Sequence, residues 1–197
     1  MRRTPMMAMV LMAAVAAGCS DSAPTAALAD ETSGRVASAN TAKPPLPIAV
    51  DTLTAPHRFT DNIAVHVRVR PERRRVEVVH LKDASNIAVL RFTVQPGVRF
   101  PWHSHPGLVM VTVTKGRLVF VYADDCIKRR YPKGTAFVDP GFGNVHYAFN
   151  PTDRETVLVA TFLGVPATGP LTLPVDPAVS TVLDAKCRVR AAMSHAH

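Results

Sequence analysis

Residues 97–107, GVRFPWHSHPG, carry the pattern on which the fold and the candidate chemistry of this chain depend. His103 and His105 stand at positions i and i+2, and on a β-strand such side chains leave the same face about 7 Å apart. Two imidazoles at that spacing can share one metal ion. A third histidine, His146, ends the segment GTAFVDPGFGNVH at residues 134–146. Three imidazoles leave positions open on a divalent ion, which is typical of a catalytic site rather than of a closed structural one.

The surrounding sequence has the period of two that is typical of half-buried strands. Apolar residues at 63, 65, 67 and 69 alternate with mostly basic ones, and no long stretch of the chain holds a helical period. Pro-Gly and Lys-Gly pairs separate one apolar segment from the next. Many short strands with such turns predict an all-β fold, an antiparallel sandwich or barrel. The predicted strands span 63–69, 76–81, 87–94, 108–114, 117–122, 135–138, 145–149 and 156–163.

The two histidine segments resemble the paired motifs of the cupin superfamily, and the resemblance covers about residues 59–163. It implies a double-stranded β-helix, the small jelly-roll barrel of the cupins. It also implies a divalent transition metal, Fe, Mn, Ni, Cu or Zn, held by the three histidines. One extra residue separates the proline and the second glycine of the second motif. The matching positions are Gly97, His103, His105 and Gly116 in the first motif and Gly134, Pro140, Gly143, His146 and Asn150 in the second.

The first motif departs from the family at its acidic ligand. Val109 stands where the family has Glu, and Met110 follows it. Without that carboxylate, three neutral ligands leave the full +2 charge at the ion, which makes it a stronger Lewis acid but holds it less tightly. Three-histidine sites exist among cupin thiol dioxygenases, so the resemblance still implies metal binding. No Asp or Glu stands beside the histidines as a general base, and Asp139 is interpreted as the start of a turn.

Two functions of different classes remain open. The first is an enzyme: a metal-dependent dioxygenase, or a related enzyme of small molecules, in which substrate or oxygen takes the open positions of the ion. The second is a non-catalytic envelope protein that binds a metal or a small ligand in the same barrel. A small molecule is the expected partner in both cases, and the resemblance to small cupins leaves a homodimer open.

The N-terminus resembles the signal sequence of a bacterial lipoprotein. Residues 1–18 combine a basic start with an uncharged apolar run that is too short to cross a bilayer as a helix, which needs roughly 20 residues. Cys19 follows Ala-Ala-Gly, where the lipobox cysteine is acylated. Ser20 in place of a retention Asp favours the outer membrane. We therefore expect an exported cell-envelope lipoprotein, on the periplasmic face of the outer membrane if the cell is diderm.

Export also bears on the other two cysteines. Cys126 and Cys187 are predicted to form a disulfide, because an exported chain folds under oxidising conditions; two free buried thiols are the alternative. A bridge that closes about 60 residues stabilises a domain by about 4 kcal/mol on the chain-entropy account. The predicted organisation is a signal peptide at 1–18, a flexible Ala/Ser/Thr/Pro tether at 19–55, the barrel at 56–165 and a C-terminal extension at 166–197.

The composition favours one globular domain. Of 197 residues, 47% are hydrophobic and 19% charged, which excludes wholesale disorder. The net charge falls from +8 to +6 when residues 1–18 are removed with Arg2 and Arg3. The remaining basic excess lies largely in residues 68–75 and 129–133. Within these segments, turn signals flank Arg73, Arg74 and Arg75 and also Arg129 and Arg130, which are therefore predicted to be solvated loop charges without interleaved aromatics. On an exported domain their partners would be anionic lipids, envelope polymers or an acidic ligand, and no nucleic-acid partner is expected.

Overall fold

A computed structural model describes residues 46–189, and within that range β-strands account for most of the regular structure. The predicted all-β class is confirmed. Each strand predicted from the period of two is present, with ends that differ by at most two residues. The elements are β1 (Ile48–Arg58), β2 (Val65–Val69), β3 (Glu77–Leu81), β4 (Asn86–Val94), β5 (Arg99–Ser104), β6 (Leu108–Lys115), β7 (Arg117–Tyr122), β8 (Arg129–Pro132), β9 (Ala136–Asp139), β10 (His146–Phe149), β11 (Thr156–Leu163), β12 (Leu173–Pro174) and α1 (Pro177–Lys186).

Two five-stranded antiparallel sheets form the double-stranded β-helix. Their strand orders are β1-β4-β11-β6-β9 and β12-β5-β10-β7-β8, and β2 and β3 form a separate hairpin. The core lies between the sheets, because alternate residues of each strand point inward. In β11 the buried positions are Thr156, Leu158, Ala160 and Phe162, and the residues between them are only partly buried. This alternation is the reason that the sequence predicts the strand.

The strand β1 begins earlier than the domain boundary expected at residue 56. It pairs with β4 from Ile48, opposite Val94, to Arg58, opposite Asn86. It is the edge strand of its sheet, and nine of its eleven residues are exposed. An exposed edge strand has no buried face to impose alternation on its sequence, so this part of the predicted tether looked unstructured. The rest of the tether, the signal peptide and Cys19 lie outside the described residues.

The C-terminal extension contains the helix α1, which no sequence period predicts. Asp176 caps it, since its side chain accepts a hydrogen bond from the Ala178 amide, and Pro177 occupies the first position. None of its ten residues is fully buried, so the helix lacks the apolar stripe that sequence analysis detects. At its end Cys187 forms the predicted disulfide with Cys126, with 5.0 Å between their Cα atoms. Among residues 46–189, no helix has the length and apolar character needed to cross a bilayer.

Two arginines that were predicted to be solvated loop charges are instead held at the barrel wall. Arg129 is 1% exposed and binds the Asp125 carboxylate at 2.7 Å and the Glu72 carbonyl oxygen at 2.6 Å. The Arg74 guanidinium carbon lies 3.8 Å from the centre of the Tyr122 ring. Both contacts fasten the turn between β2 and β3 to the barrel. The prediction was wrong because it considered only the turn signals around these arginines.

Candidate metal centre

The fold brings the three predicted histidines together inside the barrel. His103 lies on β5, His105 follows that strand directly, and His146 begins β10 opposite His103. Each side chain is buried, and one ligand nitrogen from each lies within 4.8 Å of the other two. The ring centres are 4.2–5.2 Å apart. The cluster is therefore close enough for one ion to contact all three rings.

Each imidazole is oriented by a backbone carbonyl. A carbonyl oxygen can only accept, so a ring Nδ1 at hydrogen-bond distance from it carries the proton and leaves the Nε2 lone pair free. Metal-binding histidines commonly have such a partner, which sets the tautomer and the ring orientation. The three Nδ1 contacts are His103 to the Pro101 oxygen at 2.6 Å, His105 to the Leu171 oxygen at 2.8 Å and His146 to the Asn144 oxygen at 3.0 Å.

Burial keeps the three rings uncharged. It lowers the pKa of His105 to about 4, with a smaller contribution from the neighbouring His103. Burial also lowers the pKa of His103, and it lowers the pKa of His146 well below the ordinary value, with the other two rings adding to the effect. Neutral imidazole is the form that binds a metal, so the cluster needs to lose no proton before binding at neutral pH.

A carboxylate borders the histidines, contrary to the expectation that none would stand beside them. Asp139 ends β9 and is 1% exposed. Its Oδ1 accepts a hydrogen bond from the Gly141 amide at 3.2 Å, which is the turn role predicted for it. Its Oδ2 lies 3.7 Å from His105 Nε2 and 3.6 Å from His146 Nδ1, and it has no hydrogen-bond partner among the described residues. Burial raises the pKa of Asp139 to about 7.

The sequence does contain a signal for Asp139. Phe137, two residues earlier, lines the barrel cavity, and residues two apart on a strand share a face. Extending the predicted strand 135–138 by one residue therefore puts Asp139 on the inner face. The turn after Asp139 brings the backbone of Gly141 close to that of Gly107. Gly141 has a φ of +70°, and a Cβ atom at this position would collide with the carbonyl oxygen of Gly107. Only glycine fits that position without strain.

His105 and His146 line a largely apolar cavity of about 80 Å³. Val109, which replaces the acidic residue of the first cupin motif, lines it with a hydrocarbon side chain. Tyr122 is buried near His146, with 6.3 Å between the two ring centres, and burial raises the pKa of its phenol. The cavity is therefore polar at the imidazoles and apolar elsewhere. Five phenylalanines form most of its aromatic wall: Phe92, Phe100, Phe120, Phe137 and Phe162.

The C-terminal extension completes the site, which sequence reasoning did not anticipate. Leu171 supplies the carbonyl that orients His105, and Thr172 lines the cavity. The short strand β12 pairs with β5, with Pro174 opposite His103. No motif marks these residues, because their backbone atoms rather than their side chains make most of the contacts.

Comparison with known proteins agrees with the site. The family model described as "Cupin domain" matches residues 90–162, which include all three histidines. A search of curated proteins found no match.

Several solved structures are similar. They include a conserved protein with a double-stranded β-helix domain from Klebsiella pneumoniae subsp. pneumoniae MGH 78578 (22% identity, 42% of this chain and 70% of that one, TM-score 0.38). A cupin-like protein from Thermotoga maritima has 25% identity, 49% and 72% coverage and a TM-score of 0.39. A cupin domain from Bordetella pertussis Tohama I has 20% identity, 53% and 97% coverage and a TM-score of 0.35. These scores are low, so the resemblance rests on the family match and the motifs: residues 90–162 match the cupin domain family, and they contain all three histidines.

Proposed function

We propose that this protein binds one divalent transition metal ion through His103, His105 and His146. The observation that carries the proposal is the set of three Nδ1–carbonyl contacts, which leaves three Nε2 lone pairs available in one buried cluster. A purely structural cluster of histidines would satisfy both nitrogens of each ring. Imidazole ligands suit zinc, copper, iron and nickel, so the donor set identifies the class of metal and not the element.

The residues present also fit a metal electrostatically. Three neutral rings and the unpartnered Oδ2 of Asp139 form a buried group that favours a cation. When bound, the ion would act as a Lewis acid toward a small ligand at its open positions. The chain itself supplies the orientation of the rings through the carbonyls, and the phenylalanines make most of the cavity wall apolar.

We infer that the centre serves a metal-dependent dioxygenase or a related enzyme that acts on a small molecule. Asp139 supports this reading, because it brings a buried carboxylate, a group that can accept a proton, next to the histidine cluster. The remaining cavity wall is apolar, which supports the second candidate, an envelope protein that binds a metal and a small ligand without turnover. Both candidates require the ion, so metal binding is the property that is tested.

The metal test uses protein purified without chelators and without a metal-binding tag. Elemental analysis is expected to find close to one equivalent of a transition metal in the wild type and less than about a tenth in H103A. H66A is the matched control, because His66 is exposed and stacks on His80 with ring centres 3.9 Å apart, away from the barrel interior. Equal metal content in wild type and H103A, or none in either, would refute the proposal.

The proposal includes export and lipid anchoring at Cys19. The disulfide between Cys126 and Cys187 supports it, since such bonds persist in oxidising compartments. The signal-like residues 1–18 and the cysteine after Ala-Ala-Gly supply the anchoring signal. The test is detergent phase partitioning of the protein made in a bacterial host. The wild type is expected in the detergent phase and C19A in the aqueous phase, and equal partitioning of the two would remove the anchor from the proposal.

A further inference from the structure

Asp139 is a buried carboxylate with no Lys or Arg within 4 Å of it among residues 46–189. Its ion-pair contacts are with the rings of His105 and His146, and the Arg74 guanidinium acts on it only from a longer distance. Its Oδ2 accepts no hydrogen bond from the described residues, and Oδ1 accepts one, from Gly141. A charged carboxylate withdrawn from water with so few donors is unfavourable unless it gains a proton or a positive charge lies next to it. A divalent ion held by the histidines would place that positive charge beside Oδ2.

The position of Asp139 in the sheet is specific. In the ladder between β6 and β9 it lies directly opposite Val109. Opposite residues of an antiparallel pair share a face, with Cβ atoms about 4.5–5.5 Å apart. Val109 is the position at which the first cupin motif has its acidic residue. A carboxylate moved from Val109 to the opposite residue of β9 therefore stays on the same face and at the same level of the barrel.

The distances limit what this carboxylate does. The three imidazole nitrogens form the group whose atoms all lie within 4.8 Å of one another, and Asp139 borders that group rather than belonging to it. Its Oδ2 is 3.7 Å from His105 Nε2, close to the spacing of about 3.4 Å between neighbouring ligands of one tetrahedral ion. It is also 3.6 Å from His146 Nδ1, on the side of that ring that faces Asn144.

We propose that Asp139 is the acidic residue of the metal centre and takes over, from β9, the charge-balancing role that a Glu on β6 has in the first cupin motif. This rests on the proposed function, the binding of a divalent ion by the three histidines. The carboxylate offsets one of the two positive charges of the ion and contacts two of the rings that hold it. It acts as a positioning and charge-balancing residue, so its removal weakens metal binding without changing which histidines bind.

The test measures zinc affinity by competition with a chelating dye, on the mature disulfide-bonded protein. D139N retains the side-chain oxygen that accepts from Gly141, so it removes mainly the charge. It is expected to bind zinc 10–100-fold more weakly, which is the usual effect of losing a partner of a metal ligand. The double variant V109E/D139N returns a carboxylate to the family's position and is expected to recover most of the affinity.

The control is D83N, because the exposed Asp83 accepts from the Ser85 amide in a similar turn, at 2.9 Å, away from the histidines. Its zinc affinity should equal that of the wild type. Thermal unfolding of the metal-free proteins gives the second readout: D139N should unfold no earlier than the wild type, since it loses an unpaired buried charge.

The outcomes separate the two proposals. A wild type that binds no zinc or other transition metal refutes the proposed function, and this inference with it. A wild type that binds while D139N binds within about threefold refutes only the role of Asp139. Loss of zinc affinity together with early unfolding of metal-free D139N, without recovery in V109E/D139N, would assign Asp139 to the fold alone and also overturn the inference.

Discussion

Replacing Cys126 and Cys187 with Ser removes the covalent link between α1 and the turn that follows β7. The two cysteines are 61 residues apart, and closing a loop of that length stabilises a domain by about 4 kcal/mol at 25 °C on the chain-entropy account. Domains of this size have a free energy of unfolding of about 5–15 kcal/mol. At roughly 2–4 °C per kcal/mol, the double variant should melt about 8–16 °C below the wild type.

The same substitution should reach the metal centre, because the extension that the disulfide holds also orients His105. Without the bond, the extension is retained by weaker contacts. The main one is the Asp184 carboxylate, which accepts from the Arg99 guanidinium at 2.9 and 3.0 Å and from the Trp102 indole at 2.7 Å. Hydrogen bonds to a charged group contribute about 1.5–3 kcal/mol each, so the extension should stay docked at 25 °C and detach first on heating.

The assay is thermal unfolding followed by circular dichroism, with and without a phosphine reductant, together with zinc affinity at two temperatures. Reduced wild type should reproduce the double variant, and the variant itself should not respond to the reductant. Zinc affinity should differ little at low temperature and fall in the variant as the extension detaches. A melting temperature within about 3 °C of the wild type, or zinc affinity unaffected up to global unfolding, would refute this account of how the extension supports the site.

Three further predictions concern single groups. N150A should lower the free energy of unfolding by about 3 kcal/mol in urea titrations, because the fully buried Asn150 amide group donates to three backbone carbonyls and its Oδ1 accepts from the Thr152 amide, and all of these bonds are lost; a loss below 1 kcal/mol would contradict this. Metal-free protein should lose stability as pH falls from about 6.5 to about 4, since burial lowers the pKa of His105 and the unfolded chain binds more protons in that window. Burial raises the pKa of Asp139 to about 7, so the folded protein gains a proton there as the pH falls, which opposes the loss of stability. The stability of D139N should therefore fall more steeply with decreasing pH than that of the wild type. Urea titrations across this pH range that give parallel curves for the two proteins would contradict the prediction. W102F should lower the free energy of unfolding by losing the bond to Asp184 and some packing, and W102F/D184N should cost about 1–2 kcal/mol less than the sum of the two single variants in the same titrations, because both remove the same bond; additive costs would contradict this.

The parts of the fold that the sequence predicts are those with one buried face. β11 alternates because every second residue enters the core, and the same holds for β2, whose odd-numbered positions are the more buried. β1 and α1 were not predicted for the opposite reason: β1 is an exposed edge strand and α1 buries no residue fully. β1 is held by backbone pairing with β4, whereas α1 is held by its cap and by the disulfide at its end. None of these interactions leaves a periodic pattern in the sequence.

The candidate site divides in a similar way. His103 and His105 could be found from their spacing, because ligands two residues apart on a strand are a local feature, whereas His146 was found from the segment 134–146, which resembles the second cupin motif. Asp139 was assigned one role, the turn, whereas each of its two oxygens has a different environment: Oδ1 faces the Gly141 amide and Oδ2 faces the histidines. The carbonyl of Leu171 could not be found at all, since every residue has one and only the tertiary fold brings this one to His105.

The size and polarity of the cavity limit the ligands that the centre can take. Sites for drug-sized molecules usually enclose about 300–1,000 Å³, so a cavity of about 80 Å³ admits a ligand of only a few non-hydrogen atoms. Its phenylalanine wall makes it costly to bury a charged group of the ligand away from the histidines. This favours a ligand with one polar end toward the histidines and an otherwise apolar body. A larger ligand needs the wall to open, and Thr172 is the part of the wall that belongs to the C-terminal extension. Because the disulfide at Cys187 restrains that extension, it would limit the size of the ligand as well as stabilise the domain.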